Sequence, residues 1–378
     1  MFTNLQTKIE YLLSTHRVVV LRTNGLVWQE SFVKQLAVGR RVYDLENPLL
    51  RQQATYRREE FLSALNVPAL LLDVQYVDGL LADLIDNASD NGSFLVVVKQ
   101  SYYIMEESCA EAGCAVYDLP LAMWEGRLPF ALNALQSKLV VEDVYDKILT
   151  GYFTAEEQQQ FLKRFLQYDL KDFTVCSDDL KFYRFMCCIA ACSGNVVNYA
   201  QLGKLVDVSS PTAKQWLKYL EGAGLVVLLP TIEHENLQRL TKAPKLYFRD
   251  TGLACKLLNI NSKSDLLNSN LLNALFETWV VMQLREACLQ NGAEQNLCYY
   301  RDSNAKEINL LMECEGVLHP VEIKRDVLNV KKIQKKFRVF REQLAGSDVA
   351  VGEGLFICDG KEPLDLGQSL WQVPVGLL

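Results

Sequence analysis

Hydrophobic and polar positions alternate most regularly over residues 306–324, where the chain reads KEINLLMECEGVLHPVEIK. The apolar positions of this alternation are Ile308, Leu310, Met312, Val321 and Ile323. The polar positions between them are Glu307, Asn309, Glu322 and Lys324. A period of two is typical of β-strands, and Glu315-Gly316 interrupts it with turn residues. The pattern therefore predicts a β-hairpin whose polar side chains share one face.

Helical spacing appears on both sides of this hairpin. Upstream, LLNALFETWVVMQLREAC carries Glu277 beside apolar positions at helical intervals, namely Leu272, Leu275, Phe276, Trp279 and Val280. Downstream, a second stripe is formed by Val330, Ile333, Phe337, Phe340 and Leu344. Eight basic residues and one acidic residue lie between Lys324 and Arg341, so the second helix predicts a local cationic surface.

The N-terminal region has a different pattern. Three apolar runs, HRVVVLRTNG, PALLLDVQ and SFLVVVKQS, are separated by helical stretches. Continuous apolar runs of this length are typical of parallel strands that are buried on both faces. Residues 1–135 therefore predict a parallel α/β sheet with crossover helices, and residues 136–179 predict amphipathic helices that form a bridge or lid.

Residues 180–250 predict three helices followed by a strand. The third helix, SPTAKQWLKYLEG, is expected to begin with Ser210 as its N-cap and Pro211 at N1. Its buried stripe is Ala213, Trp216, Leu217 and Leu220, which leaves Lys214 and Lys218 facing outward. This order predicts a winged helix-turn-helix, whose third helix either enters a DNA groove or serves as a packing module.

The hairpin also carries candidate chemistry. In a strand, Glu322 and Lys324 lie about 6.6 Å apart on one face. A carboxylate that holds Mg²⁺ beside a lysine that stabilises developing charge is an arrangement suited to phosphodiester cleavage. An exposed strand also carries Glu-x-Lys as an ordinary surface ion pair, and the triplet alone does not separate these two interpretations.

Four segments together resemble a known family: PKLYFRDTGLACKLL, LFETWVVMQL, YYRDSNAKEINLL and PVEIK. They are similar to prokaryotic AAA-type ATP-binding proteins that join an ATPase core, a winged helix and a PD-(D/E)XK restriction-endonuclease-like domain. The resemblance implies an α/β multidomain fold with a core at 1–135, a bridge at 136–179, a winged helix at 180–250 and a nuclease-like domain at 251–378.

The resemblance also implies a catalytic site at Glu277, Asn309, Glu322 and Lys324, with Mg²⁺ held by Glu277 and Glu322. Asn309 stands where the family usually has aspartate. An amide offers a carbonyl oxygen without charge, so this site is expected to hold Mg²⁺ less tightly than three carboxylates would. Glu307, two residues earlier on the same face, is the alternative third ligand.

The ATPase site that the resemblance implies is altered in this chain. A working P-loop needs G-x-x-x-x-G-K-[ST], whereas the corresponding segment reads TNGLVWQESF, with Gln29 in place of the lysine. The strand that ends Asp-Glu-x-Gln in the family reads Asp73-Val74-Gln75 here. We therefore expect a degenerate core that has lost ATP hydrolysis and ATP binding.

Composition narrows the class of protein. The 378 residues carry a formal net charge of −7, which argues against a general polyanion binder and restricts nucleic-acid contact to a local patch. Apolar runs are far shorter than the ~18 residues of a membrane span, and a cytoplasmic location is expected. The 11 cysteines include no CxxC pair, which excludes a zinc framework of that kind.

Three interpretations of function remain open from the sequence. The first is an impaired ATPase-family member that associates with nucleic acid through Lys331, Lys332, Lys335 and Lys336, with Lys214 and Lys218 as a second contact. The second is a Mg²⁺-dependent DNA nuclease that uses the C-terminal site. The third is a protein–protein scaffold that works as an oligomer.

Overall fold

The structure is a computed structural model. It describes residues 3–23, 36–87, 94–99, 114–118, 141–152, 154–166, 178–234, 237, 240–290, 297–314, 316–326 and 330–378. The chain forms two compact units, which we describe separately. Unit 1 is Met1–Met123 with Gly222–Gly224, and unit 2 is Trp124–Glu221 with Leu225–Leu378.

Unit 1 contains a parallel five-stranded sheet with the order β2-β3-β4-β1-β5. Its strands are β1 (Val18–Thr23), β2 (Arg41–Asp44), β3 (Ala69–Leu72), β4 (Phe94–Lys99) and β5 (Cys114–Asp118). Its described helices are α1 (Thr3–Thr15), α2 (Pro48–Tyr56), α3 (Arg58–Ser63) and α4 (Leu80–Asp86). The predicted parallel α/β arrangement of the N-terminal region is thus confirmed.

Both faces of this sheet are buried, as the continuous apolar runs predict. Val18 and Val20 of β1 pack in one apolar cluster with side chains of α2, α3 and α4. Val19 and Leu21 point to the opposite cluster, which includes Ile9 of α1. Just after β3, Val74 is fully buried in the first cluster, so an apolar core side chain stands at the position where the sequence resemblance implies glutamate. The altered P-loop segment, apart from Thr23 at the end of β1, lies outside the described residues.

Unit 2 begins with helical segments and a two-stranded ribbon. The helices are α5 (Val141–Thr150), α6 (Ala155–Arg164), α7 (Asp179–Ala191), α8 (Tyr199–Val206) and α9 (Ser210–Gly222). Strands β6 (Val226–Leu229) and β7 (Lys245–Phe248) then pair in antiparallel fashion. In α9 the predicted apolar stripe is buried and both Lys214 and Lys218 are exposed.

The start of α9 differs from the prediction by one residue. Helix α9 begins at Ser210, and the Ser209 hydroxyl accepts a hydrogen bond from the Thr212 amide at 3.2 Å. Ser209 is therefore the N-cap, and the prediction of Ser210 was wrong. Ser209 and Ser210 both carry a hydroxyl that could cap the helix. The N-cap hydroxyl accepts from the amide three residues later, and the structure shows this bond for Ser209.

A mixed sheet of seven strands forms the rest of unit 2, with the order β13-β14-β12-β10-β9-β8 and β11 paired to β10. Its strands are β8 (Leu297–Arg301), β9 (Glu307–Cys314), β10 (Val317–Ile323), β11 (Ala350–Val351), β12 (Gly354–Cys358), β13 (Leu364–Asp365) and β14 (Leu370–Pro374). Its helices are α10 (Thr251–Leu257), α11 (Lys263–Asn268), α12 (Leu272–Gln290) and α13 (Val330–Leu344). The predicted hairpin is β9 and β10, and both predicted flanking helices are present.

The segment RDTG at residues 249–252 is a structural junction within unit 2. Asp250 is fully buried and caps α10 by accepting the Leu253 amide, while its second oxygen accepts the Tyr152 amide at 2.9 Å. A Cβ on Gly252 would lie 2.2 Å from the Thr150 carbonyl oxygen. These contacts fasten α10 to the end of α5, and only glycine fits at residue 252.

Within the part of the chain that the structure describes, no helix is both long enough and apolar enough to cross a membrane. The described cysteines are all free thiols, and burial raises the pKa of Cys288 and of Cys358 to about 11. Such thiols are protonated at neutral pH and pack as small apolar side chains.

Candidate functional site

A cavity of about 900 Å³ in unit 2 brings the predicted site residues together. We call it the cleft. Its lining includes all four predicted catalytic residues, which are Glu277, Asn309, Glu322 and Lys324. It also includes three of the four predicted lysines of α13, which are Lys332, Lys335 and Lys336. Lys331, Lys214 and Lys218 are exposed but are not part of this lining.

The elements around the cleft explain this convergence. Antiparallel pairing of β9 with β10 sets Leu310 opposite Val321, so Asn309 and Glu322 occupy neighbouring strands. Helix α13 buries Ile333, Phe337 and Phe340 and turns its lysines toward the rim. Glu277 enters from α12. One strand pair and helix α12 therefore hold the four predicted catalytic residues, and α13 adds the three lysines.

Glu277 has a donor at each carboxylate oxygen. Its Oε1 accepts from the Lys245 ammonium at 2.7 Å and from the Tyr247 hydroxyl at 2.9 Å. Its Oε2 accepts from the Asn309 amide Nδ2 at 2.7 Å. Burial and the charge of Glu277 raise the pKa of Tyr247 well above its usual value, so the phenol stays protonated and donates. This carboxylate is held by three donors from three strand positions.

Asn309 uses both ends of its amide. While Nδ2 donates to Glu277, Oδ1 accepts the backbone N–H of Ile323 at 3.1 Å. An aspartate here would lack the donor and would face the Glu277 carboxylate with a second negative charge. Asparagine thus fits the hydrogen-bonding pattern at this position better than the aspartate that the family resemblance leads one to expect.

Glu322 is 4% exposed, and its nearest cation differs from the one that the strand pattern indicates. Its Oε2 accepts from Lys336 of α13 at 2.6 Å, whereas Lys324 lies 3.9 Å from Oε1. Glu322 is therefore not part of an exposed strand face, because Lys336 of α13 packs against it. Lys336, which is also one of the predicted nucleic-acid contacts, is the nearest cation to Glu322.

Glu307 is also engaged. Its Oε1 accepts from Lys245 at 2.6 Å and its Oε2 from Arg301 at 2.9 Å. Lys245 is 1% exposed and bridges Glu307 to Glu277. Burial lowers the pKa of Lys245, but Tyr247 and the two carboxylates raise it well above its usual value, so the ammonium stays charged.

The sequence interpretation missed Lys245. Residues 239–249 appear as a locally basic stretch, with Lys245 as one of its charges. The signal that could have identified Lys245 is its place in KLYF, a four-residue strand in which the other three residues are large and hydrophobic. A lysine inside a fully buried strand requires an anionic partner, although the sequence does not say which one.

The donor set in the cleft does not fit a divalent cation as arranged. The carboxylate oxygens of Glu277 and Glu307 each accept from nitrogen or hydroxyl donors, and the Asn309 carbonyl oxygen accepts a backbone N–H. Among the described residues, no group of three or more His, Cys, Asp or Glu side chains is placed to hold a metal ion. Metal binding by Glu277 and Glu322 stays a prediction.

What the cleft does offer is positive charge at its rim. The described side chains that line it include six cations and four anions, a local balance of +2 in a chain of net charge −7. Lys306, Lys332 and Lys335 are exposed, and the Lys324 side chain is 55% exposed. These ammonium groups can bind phosphate without first breaking a short ion pair.

Comparisons with known proteins divide the chain into two matched regions. Residues 148–264 match a domain of unknown function, DUF8612, and residues 272–378 match another, DUF4143, which is found in AAA-ATPase-like proteins. Lys245 lies in the first region, whereas the four predicted catalytic residues lie in the second. The cleft is built from both regions, because its lining also includes Ser193, Gly194 and Asn195 of the first.

Two mycobacterial proteins are similar to part of the chain. They are the uncharacterized protein Mb2031c of Mycobacterium bovis and the uncharacterized protein Rv2008c of Mycobacterium tuberculosis. Each is 32% identical over 173 residues, which is 46% of this chain and 38% of the relative. Residues 272–378 thus resemble a domain found in AAA-ATPase-like proteins, and part of the chain is similar to uncharacterized mycobacterial proteins of which it spans less than half the length.

Proposed function

We propose that the cleft of unit 2 binds nucleic acid through its phosphate backbone and does not cleave it. The observation that carries this proposal is the contrast between two kinds of charge in one cavity. The carboxylates of Glu277, Glu307 and Glu322 are matched internally by Lys245, Arg301 and Lys336, whereas the rim lysines form no short ion pair with any residue that the structure describes. A surface of this kind attracts a polyanion while its anions stay masked.

The arrangement of the rim lysines supports a polymer as the ligand. Lys332 and Lys335 lie three residues apart on α13, and residues at that spacing share one helix face. Lys324 follows β10 and lines the same cleft. Positive charge that extends from a strand end along a helix suits successive phosphates better than a single small anion.

The proposed architecture agrees with this role. We infer that α7, α8 and α9 with the β6–β7 ribbon form a winged helix, and that the seven-stranded sheet with α12 and α13 forms a restriction-endonuclease-like domain. Unit 1 would then be an AAA-like core whose strand order, with β1 between β4 and β5, suits a nucleotide-binding sheet. Its altered P-loop sequence supports a scaffold that no longer hydrolyses ATP.

Replacing Glu322 by glutamine is expected to strengthen nucleic-acid binding. The change removes one anion from the cleft and releases Lys336 from its 2.6 Å ion pair. One additional phosphate contact corresponds to about eightfold in affinity at about 0.1 M salt and to a salt slope steeper by about one. Fluorescence anisotropy with a labelled DNA duplex in EDTA measures both quantities.

Glu342→Gln provides the matched control, because Glu342 is an exposed residue of α13 that pairs with Arg338 at 3.7 Å and does not line the cleft. We expect it to change affinity much less than Glu322→Gln. Weaker binding by Glu322→Gln would contradict the proposal. No DNA affinity at low salt for the wild-type protein would favour the scaffold interpretation instead.

A metal-dependent nuclease is the second candidate, favoured by the placement of Lys324 beside Glu322 in the cleft. It predicts that Glu322→Gln abolishes metal-dependent cleavage, because Glu322 is one of the two predicted metal ligands. Under that mechanism, plasmid nicking requires Mg²⁺ or Mn²⁺ and is abolished by Lys324→Ala. Nicking that survives Lys324→Ala would come from another site or from a contaminating enzyme.

A further inference from the structure

We propose that the ammonium group of Lys245 occupies the position between Glu277 and Glu307 that a divalent cation would need, so that the cleft is built to work without a metal. This inference concerns the internal charges of the cleft and does not depend on nucleic-acid binding. It assigns to a buried lysine the structural role of a resident cation.

The contacts of Lys245 are those of a bound cation. Its Nζ lies 2.7 Å from Glu277 Oε1 and 2.6 Å from Glu307 Oε1, which links helix α12 to strand β9. The rings of Tyr247 and Tyr299 lie beside it, with centroids 5.5 Å and 5.9 Å from Nζ. Two carboxylates and two aromatic rings therefore surround the ammonium group, and each attracts positive charge.

Charge balance argues against adding a metal to this arrangement. Glu277 and Glu307 contribute two negative charges, and Lys245 and Arg301 contribute two positive charges through contacts of 2.9 Å or less. A divalent cation placed between the carboxylates would leave an excess of two positive charges around the buried Lys245 ammonium group. The free-energy cost of uncompensated buried charge is large, so the metal would have to displace Lys245.

Displacement is hindered by the position of the lysine. Lys245 is the first residue of β7, all four residues of that strand are buried, and the lysine side chain is 1% exposed. An exposed lysine could swing into water when a metal arrives, whereas this side chain has no route to solvent without opening the strand. The ammonium is thus a permanent part of the site.

Asn309 also disfavours a metal ion beside Glu277. Its Nδ2 group donates to Glu277 Oε2 at 2.7 Å, where a metal ligand of the aspartate type would add negative charge. Lys245 and Asn309 together donate hydrogen bonds to both carboxylate oxygens of Glu277, so neither oxygen needs a metal as its partner. Restoring a metal site should therefore require removal of the lysine as well as introduction of the aspartate.

The test is calorimetric titration of Mn²⁺ into wild type and Glu277→Gln, with thermal unfolding of four further variants. These are Lys245→Gln, Asn309→Asp, their double variant and the exposed control Lys242→Gln. We expect wild type to show no Mn²⁺ binding that depends on Glu277. Saturating Mn²⁺ should raise the Tm of the double variant by about 5 °C and leave the Tm of Asn309→Asp unchanged.

Mn²⁺ binding by wild type that disappears in Glu277→Gln would overturn the proposal, because the metal would then coexist with or displace Lys245. This comparison requires no lysine variant to fold. A double variant that folds and gains no stability from Mn²⁺ would also overturn it. Since neither assay contains DNA, failure here is separate from failure of the proposed nucleic-acid binding.

Discussion

Lys245→Met is expected to lower the free energy of unfolding by about 3 to 5 kcal/mol, the range observed when one partner of a buried ion pair is removed. Methionine has a similar length and fills the space, so the change isolates the charge. Without the ammonium, Glu277 and Glu307 face each other with only Tyr247, Asn309 and Arg301 as donors. Urea unfolding followed by tryptophan fluorescence measures the loss.

Lys242→Met is the matched control, because Lys242 is an exposed residue three positions earlier. We expect it to change stability by no more than about 0.5 kcal/mol. The double variant Lys245→Met/Glu277→Gln removes one of the stranded charges and should recover part of the loss. If Lys245→Met unfolded within about 1 kcal/mol of the control, the network would contribute little to stability.

Substitution of Lys324, Lys332 and Lys335 together by alanine is expected to weaken DNA binding several hundredfold at about 0.1 M salt. Each lost phosphate contact reduces affinity about eightfold at that concentration, and three losses multiply. The slope of log affinity against log salt should fall by about three. Fold stability should change little, because the lysine side chains lie at the rim. Anisotropy titrations at several salt concentrations measure the effect.

Two control variants locate the interface. Lys331→Ala removes a lysine of α13 that does not line the cleft, and Lys214→Ala/Lys218→Ala removes the exposed lysines of α9. We expect both to retain affinity within about threefold of wild type. A large loss in the α9 variant with no loss in the triple variant would place the interface on α9.

Regular periodicity explains which features could be predicted. The stripe of Ile333, Phe337 and Phe340 is buried in α13, and the alternation around Asn309 forms β9 as expected. In each case the local spacing of apolar residues matches the side-chain period of a single element, and tertiary packing reinforces that choice. The approach of Glu277 to Asn309 followed only from the family resemblance.

The pairing of charges could not be predicted in the same way. A period of two says which residues share a strand face but not what covers that face, so the partnership of Glu322 with Lys336 was missed. Lys245 is 32 residues from Glu277 and 62 from Glu307 along the chain. Such contacts depend on how β7, α12 and β9 pack, which no local pattern encodes.

Lysine acetylation footprinting, with and without a DNA duplex, tests whether nucleic acid binds in the cleft. Mass spectrometry reports the reactivity of each ammonium group under conditions where the protein is folded. If DNA binds in the cleft, we expect it to protect Lys324, Lys332 and Lys335 from acetylation, while Lys214 and Lys218 react as in the free protein. Unchanged reactivity at the three cleft lysines, in a complex that anisotropy confirms is formed, would contradict binding in the cleft.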